Sequence, residues 1–243
     1  MEKELTHKPL KEEIYDALHR QIIAGKYGPG DWLRQEEIAS QMGVSMTPVR
    51  EALDLLVSAG LAERVPYRGV RVREMSTQDV VEAYGLRLVL ETVTAREAAI
   101  NITTAQVAGL EKILVEMKKY VKLNDMPRER QLSREFHSAI ANASGNSLLI
   151  KLYAVTANAF PDWLLYEALY RYPELLSGSV SQTHEEHRAI VDALAKHDAD
   201  RAVQASLEHV LDSGRWLVEY LKIPADLLKE KEQQVTHLLK KSK

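Results

Sequence analysis

The sequence predicts a mainly α-helical fold in two parts: a short helix-turn-helix completed by a small β-hairpin, then an all-helical antiparallel bundle. Three observations predict it. Two short amphipathic segments flank the glycine turn Gly43-Val44-Ser45-Met46-Thr47-Pro48. Residues 61–73 read as two short strands around Pro66-Tyr67-Arg68-Gly69. Beyond residue 76 the apolar period is helical throughout, with no convincing strand.

Leu10, Ile14, Leu18 and Ile22 recur every four residues and put one apolar stripe on a first helix, closed by Gly25. Tyr27-Gly28-Pro29-Gly30-Asp31 is a turn cluster. Ile38, Ala39 and Met42 mark a second helix, which Gly43 ends in the left-handed conformation that other residues resist. Ser45 or Thr47 caps the third, and Pro48 fits its first turn, where no backbone N–H is needed. Arg50 follows about one turn further in, on the face opposite Val49, Ala52 and Leu53. Val70-Arg71-Val72-Arg73 alternates apolar and basic side chains, as a half-buried strand does, so the hairpin has a basic tip. Residues 1–75 therefore read as a winged helix-turn-helix, whose second motif helix meets base edges and phosphates in a major groove. The DNA-contact candidates are Ser45, Met46, Thr47 and Arg50, with Arg68 and Gly69 at the wing tip.

Charge supports this only locally. The chain carries net −3, and residues 1–76 hold 11 Lys/Arg against 12 Asp/Glu. Arg50, Arg64, Arg68, Arg71 and Arg73 nevertheless cluster in the motif and wing, opposed there by Glu51, Asp54 and Glu63. Counterion release follows the contacts made, not the global charge. At 243 residues and 45% hydrophobic content, the chain has room for two domains with cores. It contains no cysteine, which excludes disulfides, zinc ribbons and thiol catalysis. No apolar run nears the ~20 residues a membrane helix needs, and Met1-Glu2-Lys3-Glu4 does not open a signal peptide. The expectation is a soluble, cytoplasmic protein with no membrane partner.

Ser76 or Thr77 caps the next helix, and Asp79 suits its positive end. Helical periodicity then covers about 77–100, 104–122, 128–143, 146–160, 162–171, 179–196 and 199–221. Breaks fall at Asn101/Thr103, Asp125/Pro127, Ser144-Gly145-Asn146, Pro161, Pro173 and His197-Asp198. Residues 76–222 form the expected second domain, a bundle of the kind that places ligand sites between facing helices. Ile223-Pro224 then breaks the chain, and residues 223–243 form a C-terminal helical extension with Leu227, Leu228, Val235, Leu238 and Leu239 in helical spacing. Packing of this extension on the bundle leads over contact with DNA or a partner subunit.

His137, His187 and His209 lie on three different bundle helices, each beside apolar positions, so each can point inward. Buried histidines are more often hydrogen-bonded structure than ligands, and no short-range metal spacing is present. Arg87 either clamps an anion or pairs with Glu91 one turn downstream.

The resemblance to known families sharpens both readings. Residues 10–73 resemble the winged-helix domain of GntR-family bacterial transcription regulators, through Ile22-Ile23-Ala24-Gly25, Pro29-Gly30-Asp31-Trp32-Leu33, Gly43-Val44-Ser45, Thr47-Pro48-Val49-Arg50-Glu51-Ala52-Leu53, Gly60-Leu61 and Arg68-Gly69-Val70. Met46 stands where relatives often carry arginine. Residues 78–221 resemble the helical effector domain, called FCD, of the FadR-like subfamily. The matching pieces are Arg87-Leu88-Val89-Leu90-Glu91, Phe136-His137-Ser138-Ala139-Ile140-Ala141, Ser144-Gly145-Asn146, Glu186-His187-Arg188-Ala189-Ile190 and residues 202–209. The resemblance implies that His137, His187 and His209 ligate a divalent metal ion, Zn or Ni-like, and that Arg87 holds a small carboxylate effector. The family's acidic fourth ligand is replaced here by Ser133, a poor ligand for such ions. His184 shares a helix face with His187, but reads as a surface histidine.

The function expected is a ligand-responsive transcription regulator, not an enzyme. It would bind a palindromic double-stranded DNA operator as a homodimer and respond to a small organic acid. Two alternatives remain open at this point. One is a metal-dependent enzyme using the three histidines, although no general base pairs with them in the sequence. The other is a metal sensor with the ion as effector.

Overall fold

A computed structural model describes residues 9–23, 26–159, 169 and 172–240. The chain divides into two compact units at Met75/Ser76. In the first, α1 (Leu10–Ile23), α2 (Gln35–Met42) and α3 (Met46–Ser58) precede the strands β1 (Ala62–Val65) and β2 (Gly69–Val72). Ile14, Leu18, Leu33, Ile38, Val49, Leu53 and Leu56 are buried together with Val70 and Val72. Gly43 ends α2 at φ 65°, ψ 33°, the left-handed cap its sequence position calls for.

Two local expectations are corrected. Ser45 occupies the N-cap position of α3, but its side chain makes no capping hydrogen bond. The hairpin turn is one residue tighter than expected, because Gly69 pairs with Val65 and belongs to β2. Tyr67 takes up the tighter turn at φ 61°. The segment before α2 runs beside β2, with Leu33 N donating to Val70 O at 2.9 Å and Val72 N to Asp31 O at 2.8 Å. That covers the inner edge of the wing with backbone hydrogen bonds.

His19 lies in this core, 7% exposed and 5.9 Å from the Tyr15 ring centre. Burial lowers its pKa to about 4, with the Asp16 charge opposing that shift and Arg20 adding to it. Its neutral form is the native one, so its contribution is fully present above the unfolded value near 6.5 and lost as pH falls toward 4. The stability of the first unit is expected to fall by up to about 3 kcal/mol across that window. Denaturant unfolding at pH 7.5 and 4.5 measures this, and His19→Leu should flatten the slope.

The second unit is helical. Its elements are α4 (Thr77–Asn101), α5 (Thr104–Met117), α6 (Met126–Ala143), α7 (Ser147–Ala159), α8 (Leu176–Ala195), α9 (Ala199–Leu221) and α10 (Ala225–Lys240), with 3₁₀ turns at Leu123–Asp125 and Pro173–Leu175. Ser76 with Asp79, and Thr103 with Gln106, close reciprocal capping boxes on α4 and α5. Helix α4 packs against α6, α7, α8, α9 and α10, so it is the element against which the others are placed. A core of Leu110, Leu114, Phe136, Ile140, Ile190 and Leu194 joins α5, α6 and α8, each such side chain worth about 1.5–3 kcal/mol of burial.

Helix α5 ends at Met117, short of the expected residue 122. Met117 is the last buried position of its apolar period, and Lys118 and Lys119 add none. Pro127 falls within the first turn of α6 and starts that helix instead of breaking it. The helix expected over 162–171 lies outside the described residues apart from Leu169, as does Gly25. The C-terminal extension forms α10 and lies on α4, burying Leu228 and Val235. There the Tyr84 hydroxyl donates to Glu232 Oε1 at 2.8 Å. The same ring closes over Gly214 of α9, where an added Cβ would stand 2.6 Å from Tyr84 Cζ.

Candidate functional site

Three of the expected residues converge. His137 on α6, His187 on α8 and His209 on α9 offer ring nitrogens that all lie within 4.8 Å of one another. Each reaches the interior because its helix buries its neighbours: Phe136 and Ile140 beside His137, Ile190 beside His187, and Ser206 and Val210 beside His209. Phe136 stacks on the His187 ring with 4.4 Å between centres. His137 Nε2 and His187 Nε2 are 3.2 Å apart. Two nitrogens bound tetrahedrally at 2.0–2.1 Å to a zinc-like ion stand about 3.3 Å apart, so this pair fits one.

The electrostatics fit as well. Burial pushes His137 and His187 well below the ordinary histidine range, and neighbouring histidines and arginines add to the shift. Burial also lowers His209 to about 4. All three are therefore neutral imidazoles at pH 7, the form that ligates metal. His187 Nδ1 is buried with no hydrogen-bond partner, whereas His209 Nδ1 lies 2.7 Å from Glu186 Oε2. Burial, followed by the neighbouring Asp212, raises Glu186 to about 8. His184 stays outside the cluster. It is half-buried, with an Nε2 that finds no partner, and so is less of a surface residue than expected.

A cavity of about 100 Å³ opens beside the cluster. Arg87, Glu91, Ser133, His137, Glu186 and His209 all contribute to its wall. Ser133 is 8% exposed and brings no charge. Arg87 and Glu91 had been set against each other as clamp or ion pair. They do pair, Arg87 Nε to Glu91 Oε1 at 2.7 Å, yet the pair is buried on the cavity wall and not solvated. Glu91 Oε2 lies 3.7 Å from His137 Nδ1. Arg130 and Arg134 of α6 also line the cavity, though sequence reasoning did not single them out. Nor did it foresee Glu186 and Glu91 behind the histidines.

In the first unit, Ser45, Met46, Thr47 and Arg50 form an exposed row at the start of α3, while Val49, Ala52 and Leu53 are buried beneath it. Arg64 pairs with Asp54, and Arg71 with Glu63 at 2.5 Å, which cancels part of the basic stripe. Arg50 has no ion pair among the described residues, and Arg68 remains exposed at the wing tip beside Gly69. The Arg68 guanidinium stacks 5.2 Å from the Trp32 ring centre, with Arg34 at 5.3 Å from the same ring. Arg34, at the N-cap of α2, is the cation in this region that sequence reasoning passed over.

Comparison with known proteins agrees with this architecture. Residues 10–72 match the model of bacterial regulatory proteins of the gntR family, and residues 82–212 match the FCD domain. The chain is similar to the "Probable D-xylose utilization operon transcriptional repressor" of Paenarthrobacter nicotinovorans, at 31% identity over 86% of this chain and 88% of that one. It is 28% identical to the HTH-type transcriptional repressor RspR of Escherichia coli, over 84% of this chain and 86% of that one. The solved structure of E. coli McbR/YncC shares the fold, with a TM-score of 0.62 at 22% identity, covering 88% of this chain and 99% of the other. Families and relatives alike are regulators and not enzymes, which removes the catalytic alternative. No described helix is long and apolar enough to cross a membrane. With a GntR winged helix followed by an FCD domain, the chain belongs to the GntR family of DNA-binding transcription regulators.

Proposed function

We propose that this regulator binds a palindromic operator as a homodimer and that a small organic acid, held in the helical domain beside a divalent metal, modulates that binding. In this reading residues 1–75 contact DNA and residues 76–222 bind effector and partner. The observation that carries it is the meeting of three neutral imidazoles beside a cavity whose wall includes two of them, His137 and His209, together with Arg87. His137, His187 and His209 would hold the ion, which when bound supplies a Lewis-acidic site for an anionic oxygen. Arg87 supplies a guanidinium suited to a carboxylate. Ser133 adds no negative charge, so the cavity opposes an anion less than it would with an acid there.

A panel of small mono- and dicarboxylic acids, titrated against the operator complex of metal-loaded protein, tests the effector reading. At least one acid should shift operator affinity, and Arg87→Ala should abolish that shift. An unchanged response in Arg87→Ala would remove Arg87 from the mechanism.

Dimerisation is supported by apolar side chains left exposed on two helices that pack together. Leu86, Val89 and Val93 repeat on α4, and Leu148, Leu152 and Val155 on α7. Exposed apolar side chains repeated along two packed helices suit an association site, and a two-fold axis would pair such a face with itself. Sedimentation should give twice the chain mass at micromolar concentration, and footprints should show two related half-sites. A monomeric mass with a single half-site would reject the symmetric arrangement.

A further inference from the structure

We propose that Glu186 and Glu91 are positioning residues for the three-imidazole centre, each setting the nitrogen that a histidine turns toward the metal; this rests on the metal reading above. Glu186 sits directly before His187 on α8 but serves a different helix. Its Oε2 stands 2.7 Å from Nδ1 of His209 on α9. In its ionised form that carboxyl accepts the Nδ1–H, which fixes the proton at Nδ1 and leaves Nε2 as the lone-pair nitrogen for the cluster. Glu91 is placed to do the same for His137. Its Oε1 is taken by Arg87, while Oε2 is buried without a hydrogen-bond partner and lies 3.7 Å from His137 Nδ1. His137 Nε2 is the nitrogen that faces His187, so Nδ1 is the one turned toward Glu91. A shift of the Glu91 carboxylate oxygen by about half an ångström or more would bring it within hydrogen-bond range.

The arrangement addresses the loss at position 133. An acidic ligand contributes charge and fixes geometry from within the coordination sphere, and Ser133 contributes neither. Carboxyl groups behind two of the three imidazoles return the geometric part from one layer out, because a histidine that donates to a carboxylate is oriented and becomes a stronger metal ligand. Arg87 balances Glu91. Glu186 also interacts with Gln182 and Asp212, which are themselves paired, so a small polar cluster holds its carboxyl in place behind His209.

The test is a Co(II) titration of chelator-stripped full-length protein, read by chelator competition and by the visible absorption of the bound ion. Wild type should bind one Co(II) per chain, and His187→Ala should not. Glu186→Ala should lose 10–100-fold in affinity with an altered spectrum, the usual cost of removing such a partner. Glu186→Gln should recover most of that loss, since its amide oxygen still accepts the Nδ1–H. The double variant Arg87→Ala/Glu91→Ala, which leaves no buried guanidinium alone, should also bind more weakly. Glu186→Ala binding Co(II) as tightly as wild type, or Glu186→Gln being as weak as the alanine variant, would overturn the positioning role while leaving the metal reading intact. Absence of binding by wild type would overturn both.

Discussion

Purified without chelators, the wild-type protein is expected to carry close to one divalent ion per chain, and the His137→Ala/His187→Ala/His209→Ala variant essentially none. The expectation follows from three neutral, buried imidazoles whose nitrogens lie within 4.8 Å of one another. Elemental analysis of both proteins decides it. Equal and negligible metal in the two would leave three structural histidines, and the proposed anion site would then rest on Arg87 and the other arginines of the cavity wall. A stability readout checks the same point independently of elemental analysis. An ion present at a hundred times its dissociation constant adds about 2.7 kcal/mol to the folded state, so chelation should lower Tm in wild type and leave the triple variant unmoved.

The second large effect concerns Arg50. Exposed at the start of α3 and without an ion pair among the described residues, its guanidinium enters a complex without first breaking an internal contact. Arg50→Ala is expected to weaken specific operator binding by about 1–3 kcal/mol if it reads a base edge. That corresponds to roughly 5- to 150-fold in dissociation constant. Thermal stability should hardly change, because the buried face of α3 is untouched. Equal affinity of variant and wild type at matched salt would reject the assignment of this helix to the groove.

The parts of this molecule governed by local chemistry were legible in the sequence. Gly43 announces a left-handed cap because few other residues tolerate one, and the Ser76/Asp79 pair announces a helix start by its spacing alone. Helical period also placed the three histidines inward. Period says which face a residue occupies, however, and not which helix lies opposite. Glu186 looked like the neighbour of His187 in the sequence, yet its carboxylate reaches His209 on another helix. For Arg87, a clamp and an ion pair to Glu91 read as alternatives along one helix, but a position on a cavity wall allows both. The early end of α5 and the tightened hairpin turn fall in the same class. Each is settled by which neighbours bury a residue and by a strand register, quantities that one segment does not encode.

Tyr84 ties the C-terminal helix to the helices that wall the cavity. Its ring lies over Gly214 of α9 and its hydroxyl is held by Glu232 of α10, so three helices lock at a single point. Two of those helices carry Arg87 and His209, and Leu217 and Leu221 of α9 reach the cavity wall. A chain stopped before Ala225 would therefore do more than shed an appendage. It would unpin one wall of the cavity beside the three histidines, and if that cavity holds the proposed effector, variation in the length of this segment would be felt as altered ligand sensitivity in a regulator whose cavity residues had not changed.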